Sequence, residues 1–306
     1  MSFYKGFVEQ HFTEKLKSMK IDAYLVNSFT ANTTGGNPAG VVLHADNLSD
    51  EEKLNIAKAV GYSETAFVSQ DDEADFELSF FTTTDEVDFC GHATLAAFAT
   101  MYQKGIVTDG QYIQRTKAGL LAVTIEPDGH IVMAQKLPEY LGVFDCEAIS
   151  ALIGIDSTVL ASSGLPVEVI STGLPDMIVP VPLGYLDRIQ VNEDLLSDFC
   201  REHDLVSLHA FELCDKDRGL TASCRNFAPL FGIPEESATG SASGALACYL
   251  SKHLGSEYSE GFTFEQGRAM DCVSIITASV ESNEQGISKV LVGGFAHEIG
   301  LQQVFL

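Results

Sequence analysis

Two similar helical segments, half a chain apart, constrain the fold of this sequence more than any other feature. GHATLAAFATMYQKG (91–105) and GSASGALACYLSKHLG (240–255) both begin with Gly, a polar residue and Ala, and both end on Gly. Apolar residues occupy nearly every face of each segment, which predicts a buried helix closed by a Gly stop. Their starts lie 149 residues apart, about half of the 306-residue chain. We interpret this pattern as an internal duplication, with chance similarity between two Ala-rich helices as the alternative.

Short alternating strands fill most of the remaining sequence. Segments such as IDAYLVNSF (21–29) and GLLAVTIE (119–126) are separated by Gly, Asp and Asn turns. A repeat of this length is too long for a solenoid. We therefore predict an α+β fold of two similar lobes, each a curved, mostly antiparallel β-sheet or barrel around one central helix.

The predicted lobes are interleaved at the C-terminus. Lobe 1 spans 20–134 together with a C-terminal strand at 291–306, and lobe 2 spans 135–290. Residues 1–19 form an extension whose apolar residues recur at near-helical spacing, so we predict an extra N-terminal helix. The segment GLPDMIVPV (173–181) has prolines around a short apolar run, which predicts an edge strand.

Charge and cysteine content restrict the partners. The chain has 18 Lys and Arg against 43 Asp and Glu, a formal charge of −25, which repels nucleic acid and anionic membrane surfaces. No apolar run is long enough to span a bilayer, and the N-terminus lacks the apolar core of a signal peptide. Seven cysteines without a CxxC pair fit a reducing compartment. We expect a cytoplasmic protein that binds neither nucleic acid nor membranes.

The starts of the two helices are candidate sites for a substrate carboxylate. A helix start offers free N–H groups and the positive end of the helix dipole. Gly91 and Gly240 would let a ligand approach the backbone, and His92 and Ser241 place a titratable group and a hydroxyl there. Considered without further context, each pair could be a plain N-cap.

Glu64 is the candidate general acid and base. It lies in GYSETAFV, between Ser and Thr and beside an apolar strand. Without further context it could equally be a solvated or capping residue. If it faces a closed apolar cleft, loss of water would raise its pKa toward neutrality and suit it to proton transfer.

Four motifs occur in the order and spacing of PhzF-like (phenazine biosynthesis) proteins. They are GGNPAGVV (35–42), GYSETAF (61–67), EVDFCGHATLAA (86–97) and RNFAPLFGIPEESATGSASG (225–244). FEQGRAMD (264–271) and VLVGGFAHEIG (290–300) are similar to closing segments of that family. The chain thus resembles this family over about residues 20–304.

The resemblance implies a diaminopimelate-epimerase-like fold, no metal or organic cofactor, frequent homodimers and a cleft in which one Glu shuttles a proton between carbons. By motif match, this Glu is Glu64, the His of the GHAT motif is His92 and the Ser of the ATGSA motif is Ser241. The family's Asp before ATGSA maps to Glu236. The best-known members isomerise an amino-hydroxy cyclohexadiene acid in phenazine synthesis, and many relatives lack a known substrate.

We accordingly expect an isomerase that acts on a small carboxylate-bearing substrate. Glu64 would transfer the proton, His92 and Glu236 would orient or polarise the hetero-atoms of the substrate, and the N–H groups around Gly91 and Gly240 would bind its carboxylate. The sequence departs from the family at Thr83 and Ser237, where Pro is usual, and at Glu236. The longer side chain at 236 extends the carboxylate by about 1.5 Å, which affects what the pocket accepts.

Two alternatives from other functional classes stay open. Racemases and epimerases of this fold use two opposed cysteines, and here Cys90 is present while Thr239 occupies the second place; a Thr hydroxyl does not act as a proton-accepting anion at pH 7. The other alternative is a non-catalytic protein that binds a small ligand in the same cleft. The sequence contains no P-loop, GxGxxG, HExxH or GxSxG motif.

Overall fold

The computed structural model describes residues 19–215, 219–255 and 261–306. The predicted N-terminal helix lies, apart from Met19, outside the described residues.

The helices are α1 (Asp50–Val60), α2 (Gly91–Gln103), α3 (Cys146–Ile153), α4 (Ser157–Ala161), α5 (Glu193–Glu202) and α6 (Gly240–Leu254). The first nine strands are β1 (Lys20–Ser28), β2 (Asn37–Val42), β3 (Thr65–Ser69), β4 (Phe76–Phe81), β5 (Glu86–Val87), β6 (Gly110–Thr116), β7 (Gly119–Ile125), β8 (Ile131–Gln135) and β9 (Glu139–Phe144). The others are β10 (Val167–Ser171), β11 (Pro175–Pro180), β12 (Ser207–Leu213), β13 (Ala222–Ala228), β14 (Ile233–Glu236), β15 (Phe262–Gln266), β16 (Ser274–Asn283), β17 (Gly286–Gly294) and β18 (Ala296–Phe305).

The strands pair in the same order twice. In the first half, β1–β2 is antiparallel, β2–β3 parallel, β3–β4 antiparallel and β4–β6 parallel, and an antiparallel β6–β7–β8 meander follows. In the second half, β10, β11, β12, β13, β15, β16 and β17 pair in this order with the same directions. Short strands β5 and β14 pair with β4 and β13 just before α2 and α6. This repeated order supports the internal duplication.

The two halves are joined through β8 and β17. These strands pair antiparallel, with Ala134 opposite Leu291 and Gln135 opposite Val290. The predicted lobe boundaries, 134/135 and 290/291, therefore lie opposite each other in one strand pair. The last strand, β18, returns to the first half and pairs with β1. The division into two lobes remains a prediction.

The two central helices lie in one continuous hydrophobic core. Nearly all of α2 and most of α6 are buried, and Phe98 and Tyr249 are among the largest fully buried side chains. The helices contact each other as well as the surrounding strands. Helix α1 packs on the outer face of the first half, and α3, α4 and α5 pack on the outer face of the second. Within the described residues, no helix is both long and apolar enough to cross a bilayer.

Strand β11 corrects the prediction of an edge strand at 173–181. It pairs antiparallel with β10 on one side and parallel with β12 on the other. Pro175 and Pro180 occupy its first and last positions. Because the missing N–H groups fall at the ends of the strand, the prolines do not interrupt its ladder.

Candidate active site

The starts of α2 and α6 are held by equivalent hydrogen bonds from the strand ends. Ser28, the last residue of β1, donates its hydroxyl to the carbonyl of His92 over 2.6 Å. Thr172, directly after β10, donates its hydroxyl to the carbonyl of Ser241 over 3.1 Å. His92 and Ser241, each the second residue of its helix, are thereby hydrogen-bonded to the end of β1 and to the residue after β10, respectively.

The residues that precede the two helices are also equivalent. Cys90 and Thr239 are the N-cap residues, in extended conformation, and neither side chain caps its helix. The carbonyl of Cys90 accepts from the Thr94 hydroxyl and that of Thr239 from the Ser243 hydroxyl, each over 2.8 Å. Thr239 in the second half is thus the structural equivalent of Cys90 in the first half.

A glycine turn at the end of the β1–β2 loop, in the first half, places Asn37 beside the residues that precede α6. Gly35 has φ +66°, and a Cβ there would lie 1.9 Å from the carbonyl oxygen of Val273, so only Gly fits. Asn37 follows this turn and donates its side-chain N–H to Glu236 Oε1 over 2.8 Å and to the carbonyl of Ala238 over 3.0 Å. The two halves meet at Glu236.

Ser237 stands where PhzF-like sequences usually have Pro, and it adds a second hydrogen bond between the two halves. Its hydroxyl donates to the carbonyl of Gly36 over 3.0 Å. Cys272 donates its thiol to the same carbonyl over 3.1 Å. A proline at 237 would lack the hydroxyl donor.

Glu64 lies beside His92 at the start of α2. It directly precedes β3, and its carbonyl accepts from the N–H of Gly40 over 3.0 Å. Its Oε2 is 3.3 Å from His92 Nε2. The other ring nitrogen of His92, Nδ1, is 3.4 Å from Cys90 Sγ. Because the same sulfur is also 4.0 Å from Nε2, Glu64 and Cys90 both lie close to this ring nitrogen of His92.

Burial and charge act in opposite directions on this group. Burial raises the pKa of Glu64, but the neighbouring His92 imidazole and Ser63 outweigh it, so the pKa is below its ordinary value. Burial lowers the pKa of His92, but Cys90 and Glu64 raise it further, to well above its ordinary value. Burial also raises the pKa of the Cys90 thiol. At neutral pH Glu64 is therefore a carboxylate and Cys90 a neutral thiol.

The conditional expectation of a Glu64 pKa raised toward neutrality is therefore not met. Its carboxylate does lose water, since its side chain is only 18% exposed. The interactions with His92 and Ser63 outweigh the effect of that loss on the Glu64 pKa.

Glu236 is a second buried carboxylate, held by a separate network. Its Oε1 accepts from Asn37 and its Oε2 accepts from the Thr239 hydroxyl over 2.5 Å. Gln266, at the end of β15, donates to the Glu236 carbonyl and the Thr239 hydroxyl, and accepts from the Thr239 N–H. Burial raises the pKa of Glu236, which the nearby His92 partly offsets.

The acidic residues do not follow the repeat. Glu64 directly precedes β3, and the residue directly before the equivalent strand β12 is Val206. Glu236 precedes Thr239 by three residues, and the residue three before Cys90 is Val87. Each half therefore contributes one carboxylate, at a different position.

The two helix-start glycines have different surroundings. A Cβ at Gly91 would meet only a ring atom of Phe89, at 4.0 Å. A Cβ at Gly240 would lie 3.3 Å from the ring of Phe29 and 3.6 Å from Val292. The start of α2 thus has free space beside it, whereas the start of α6 is packed against a buried aromatic ring.

Two groups of functional interest were missed by the sequence reasoning. Asn37 and Gln266 organise Glu236, and both lie inside the recognised motifs GGNPAGVV and FEQGRAMD. Asp176 and His209 lie in a buried polar network of the second half. The motifs were a signal for the first pair, and nothing in the strand patterns distinguished the second.

Glu64, Cys90 and His92 could together hold a cation. One ligand atom from each lies within 4.8 Å of the other two. Carboxylate oxygen, thiolate sulfur and imidazole nitrogen are all zinc ligands.

Comparison with known proteins agrees with this arrangement of motifs. The family model for phenazine biosynthesis-like proteins (PhzC-PhzF) matches residues 26–299. An uncharacterized isomerase of Clostridium acetobutylicum is 33% identical, and the match covers 90% of this chain and 95% of that protein. The trans-2,3-dihydro-3-hydroxyanthranilate isomerase of Pseudomonas chlororaphis is 29% identical over 88% of this chain and 94% of its own length.

Solved structures share the fold. A phenazine biosynthesis protein of the PhzF family from Bacillus anthracis has a TM-score of 0.85 at 28% identity, covering 94% of this chain and all of that one. A hydroxyproline epimerase from Agrobacterium vitis has a TM-score of 0.62 at 12% identity, covering 94% of this chain and 91% of its own. The second likeness concerns the fold alone. The predicted α+β, epimerase-like fold class is confirmed.

Proposed function

Because this chain belongs to the PhzF family of phenazine biosynthesis-like proteins, we propose that it is an isomerase that moves a proton on a small carboxylate-bearing substrate, with Glu64 as general acid and base. The observation that carries this proposal is the buried Glu64 carboxylate, 3.3 Å from His92 at the start of α2. Only the first half has a carboxylate at this position, since Val206 takes its place in the second. One side chain would therefore both remove and return the proton.

The charge state of the free site sets the direction of the first step. Glu64 is ionised at neutral pH because its pKa is lowered, so it begins as the base. It removes a proton from one carbon and returns it to another, and no second base is required. His92 stabilises the negative charge that develops on the substrate, and the neighbouring Glu64 carboxylate favours its protonated form.

The remaining residues bind and orient the substrate. Free N–H groups of the helix starts, around Gly91 and Gly240, bind the carboxylate with the help of the helix dipoles. The Ser241 hydroxyl adds a donor at the second helix. Glu236, fixed by Asn37 and Thr239, accepts a hydrogen bond from a substrate hetero-atom or polarises it.

The substrate we propose to test first is trans-2,3-dihydro-3-hydroxyanthranilate, which the relative from Pseudomonas chlororaphis is named for. That relative is 29% identical to this chain. Glu236 and Ser237, which depart from the family pattern, lie at the point where the two halves meet. We propose that they alter the accepted substrate.

A two-thiol racemase is the weaker candidate. Thr239 stands at the equivalent position to Cys90, and its hydroxyl already donates to Glu236. The Cys90 thiol is neutral at pH 7, since burial raises its pKa. We also propose a two-lobed, cytoplasmic homodimer, by analogy with the family.

Solvent deuterium exchange tests the proposed isomerase against a non-catalytic binder. The protein is incubated in D₂O with trans-2,3-dihydro-3-hydroxyanthranilate and a panel of other small carboxylates, and carbon-bound deuterium is measured by NMR. Incorporation into at least one compound is expected. Binding of these compounds without any incorporation would contradict the isomerase and favour the binder.

Substitution of Cys90 separates the isomerase from the racemase. If Glu64 alone moves the proton, Cys90→Ala keeps activity within about tenfold of the parent, whereas loss of a catalytic acid or base costs about 10²–10⁴-fold. A loss of the larger size in Cys90→Ala, with Glu64→Gln active, would favour the thiol mechanism.

A further inference from the structure

We propose that Glu64, Cys90 and His92 form a binding site for a thiophilic divalent cation such as Zn²⁺, and that the bound cation inhibits the isomerase. The three side chains supply oxygen, sulfur and nitrogen, which are the ligand atoms of protein zinc sites. All three lie in one place, at the start of α2. Cation binding itself does not depend on the proposed function, whereas inhibition rests on it.

The distances are close to those of a tetrahedral site. Zinc binds nitrogen and oxygen at about 2.1 Å and sulfur at about 2.3 Å, so tetrahedral ligands lie roughly 3.4–3.6 Å apart. His92 Nε2 is 3.3 Å from Glu64 Oε2 and 4.0 Å from Cys90 Sγ. All three ligand atoms lie within 4.8 Å of one another. Side-chain movements of about 1 Å would complete the site.

The surroundings also favour a cation. The Oε2 atom of Glu64 is buried, and no described residue gives it a well-aligned hydrogen bond. The side chain of His92 is 8% exposed and Cys90 is 9% exposed as a residue, so water competes weakly for these ligands. A third acidic group, Glu236, is close enough to influence the charge of both Glu64 and His92.

The charges balance when a divalent cation binds. The cation binds Cys90 as a thiolate and His92 as a neutral imidazole, and the protons that these groups carried leave to solvent. A dipositive ion with one carboxylate, one thiolate and one neutral imidazole has no net charge, which suits a buried site. Water would occupy the fourth position, as in open zinc sites.

Inhibition follows from the ligand set. A carboxylate that coordinates a cation has a lone pair engaged and does not accept a proton from carbon. Coordination of His92 likewise removes the imidazolium. The cation is thus an inhibitor of the proposed reaction and takes no part in it.

Cobalt titration of the full chain tests the site directly. Co²⁺ is the probe because a thiolate ligand gives a charge-transfer band in the near ultraviolet. We expect one equivalent to bind with this band, and Zn²⁺ to abolish it by displacement. Cys90→Ser should lose the band, and Glu64→Gln should bind Co²⁺ at least about tenfold more weakly.

Cys146→Ser is the matched control, because Cys146 is a partly buried free cysteine on α3, outside the site. This variant should retain the band. A band that persists in Cys90→Ser, or that disappears in Cys146→Ser, would overturn the proposal. The absence of any band in the parent protein at saturating Co²⁺ would overturn it as well.

The inhibitory part is measured by deuterium incorporation with increasing Zn²⁺. Half-inhibition should occur at the Zn²⁺ dissociation constant obtained from cobalt displacement, and a chelator should restore activity. Binding without inhibition would contradict the assignment of this site to the reaction. If no substrate exchanges, the proposed function fails, and the cobalt spectra still decide the cation site.

Discussion

The charge of Glu64 depends mainly on one neighbour. Burial alone would raise its pKa, yet the interaction with His92 holds the pKa below the ordinary value. The pKa of His92 is raised well above its own ordinary value. Glu64 is therefore a carboxylate at neutral pH, which is the state that the proposed proton removal requires.

This coupling predicts the pH profile of kcat/KM and its change in His92→Asn. In the parent enzyme the acidic limb lies below about pH 4.5, where Glu64 gains a proton, and the alkaline limb lies well above about 6.5, where His92 loses one. In His92→Asn, the imidazole that lowers the Glu64 pKa is gone, so burial raises this pKa and the acidic limb shifts to higher pH. Initial rates across pH 3–9 measure both limbs.

His130→Asn serves as the control for that profile. His130 is also a partly buried histidine with a carboxylate partner, Glu126 at 2.9 Å, but it is outside the candidate site. Its substitution should leave the acidic limb in place. An unchanged limb in His92→Asn would show that His92 does not hold the pKa of Glu64 down.

The sequence motifs identified Glu64, His92 and Glu236 as candidate site residues. In the structure His92 affects the pKa of Glu64, and both residues affect the pKa of Glu236. Their assigned roles remain predictions. The sequence could not show the sign of the Glu64 shift, because that sign depends on the 3.3 Å distance to His92. It also did not distinguish Asn37 within its motif, since a hydrogen bond to a residue 199 positions away leaves no local pattern.

At the scale of elements, the two helix starts have the same anchors but different amounts of space. This difference predicts opposite effects of Gly91→Ala and Gly240→Ala. At Gly91 the added methyl meets no close atom, so unfolding free energy should stay the same or rise by up to about 1 kcal/mol. The methyl would occupy the space in which we propose that the substrate carboxylate binds, and kcat/KM should fall about tenfold or more.

At Gly240 the added methyl presses on Phe29, a fully buried ring. We expect a loss of about 1–3 kcal/mol in unfolding free energy. Urea denaturation and steady-state kinetics of both variants measure these effects. A Gly91→Ala enzyme with unchanged kcat/KM would contradict the placement of the carboxylate at the start of α2.

Strands β11, β12 and β13 enclose a buried polar network beneath Glu236. Ser207 Oγ is 2.6 Å from Asp176 Oδ1 and 2.9 Å from Asn226 Oδ1, and His209 Nδ1 is 3.1 Å from the same amide oxygen. Burial raises the pKa of Asp176 to about 7 and lowers that of His209 to about 4. His209 is therefore neutral at pH 7, whereas about half of the Asp176 carboxyl groups are protonated.

The raised pKa of Asp176 predicts a pH-dependent gain of stability in Asp176→Asn. A carboxyl whose folded pKa exceeds its unfolded value costs nothing below about pH 3.8, and its cost grows as pH rises to about 7. The substitution should raise unfolding free energy by about 2–4 kcal/mol at pH 8 and leave it unchanged below pH 4. Urea denaturation at several pH values measures this, and a pH-independent difference would refute the raised pKa of Asp176.

At the scale of the whole molecule, the two halves repeat the same strand order, but the buried carboxylates Glu64 and Glu236 are not repeated. The two helix segments predicted the duplication, the strand pattern around them the α+β class and the four motifs the family, and strand pairing and comparison agree with these predictions. The edge-strand prediction for β11 was wrong, because its prolines sit at the strand ends. The asymmetric placement of Glu64 and Glu236 became visible only once the equivalent positions, Val206 and Val87, were aligned by strand order.

In the proposed reaction one carboxylate, Glu64, carries the proton between carbons. The most direct measurement is the rate of deuterium incorporation from D₂O into a turned-over substrate, compared between the parent and Glu64→Gln, which nearly retains shape and removes the base. If Glu64 carries the proton, incorporation should decrease at least about 10²-fold with substrate binding preserved. Incorporation at the parental rate in Glu64→Gln would contradict it.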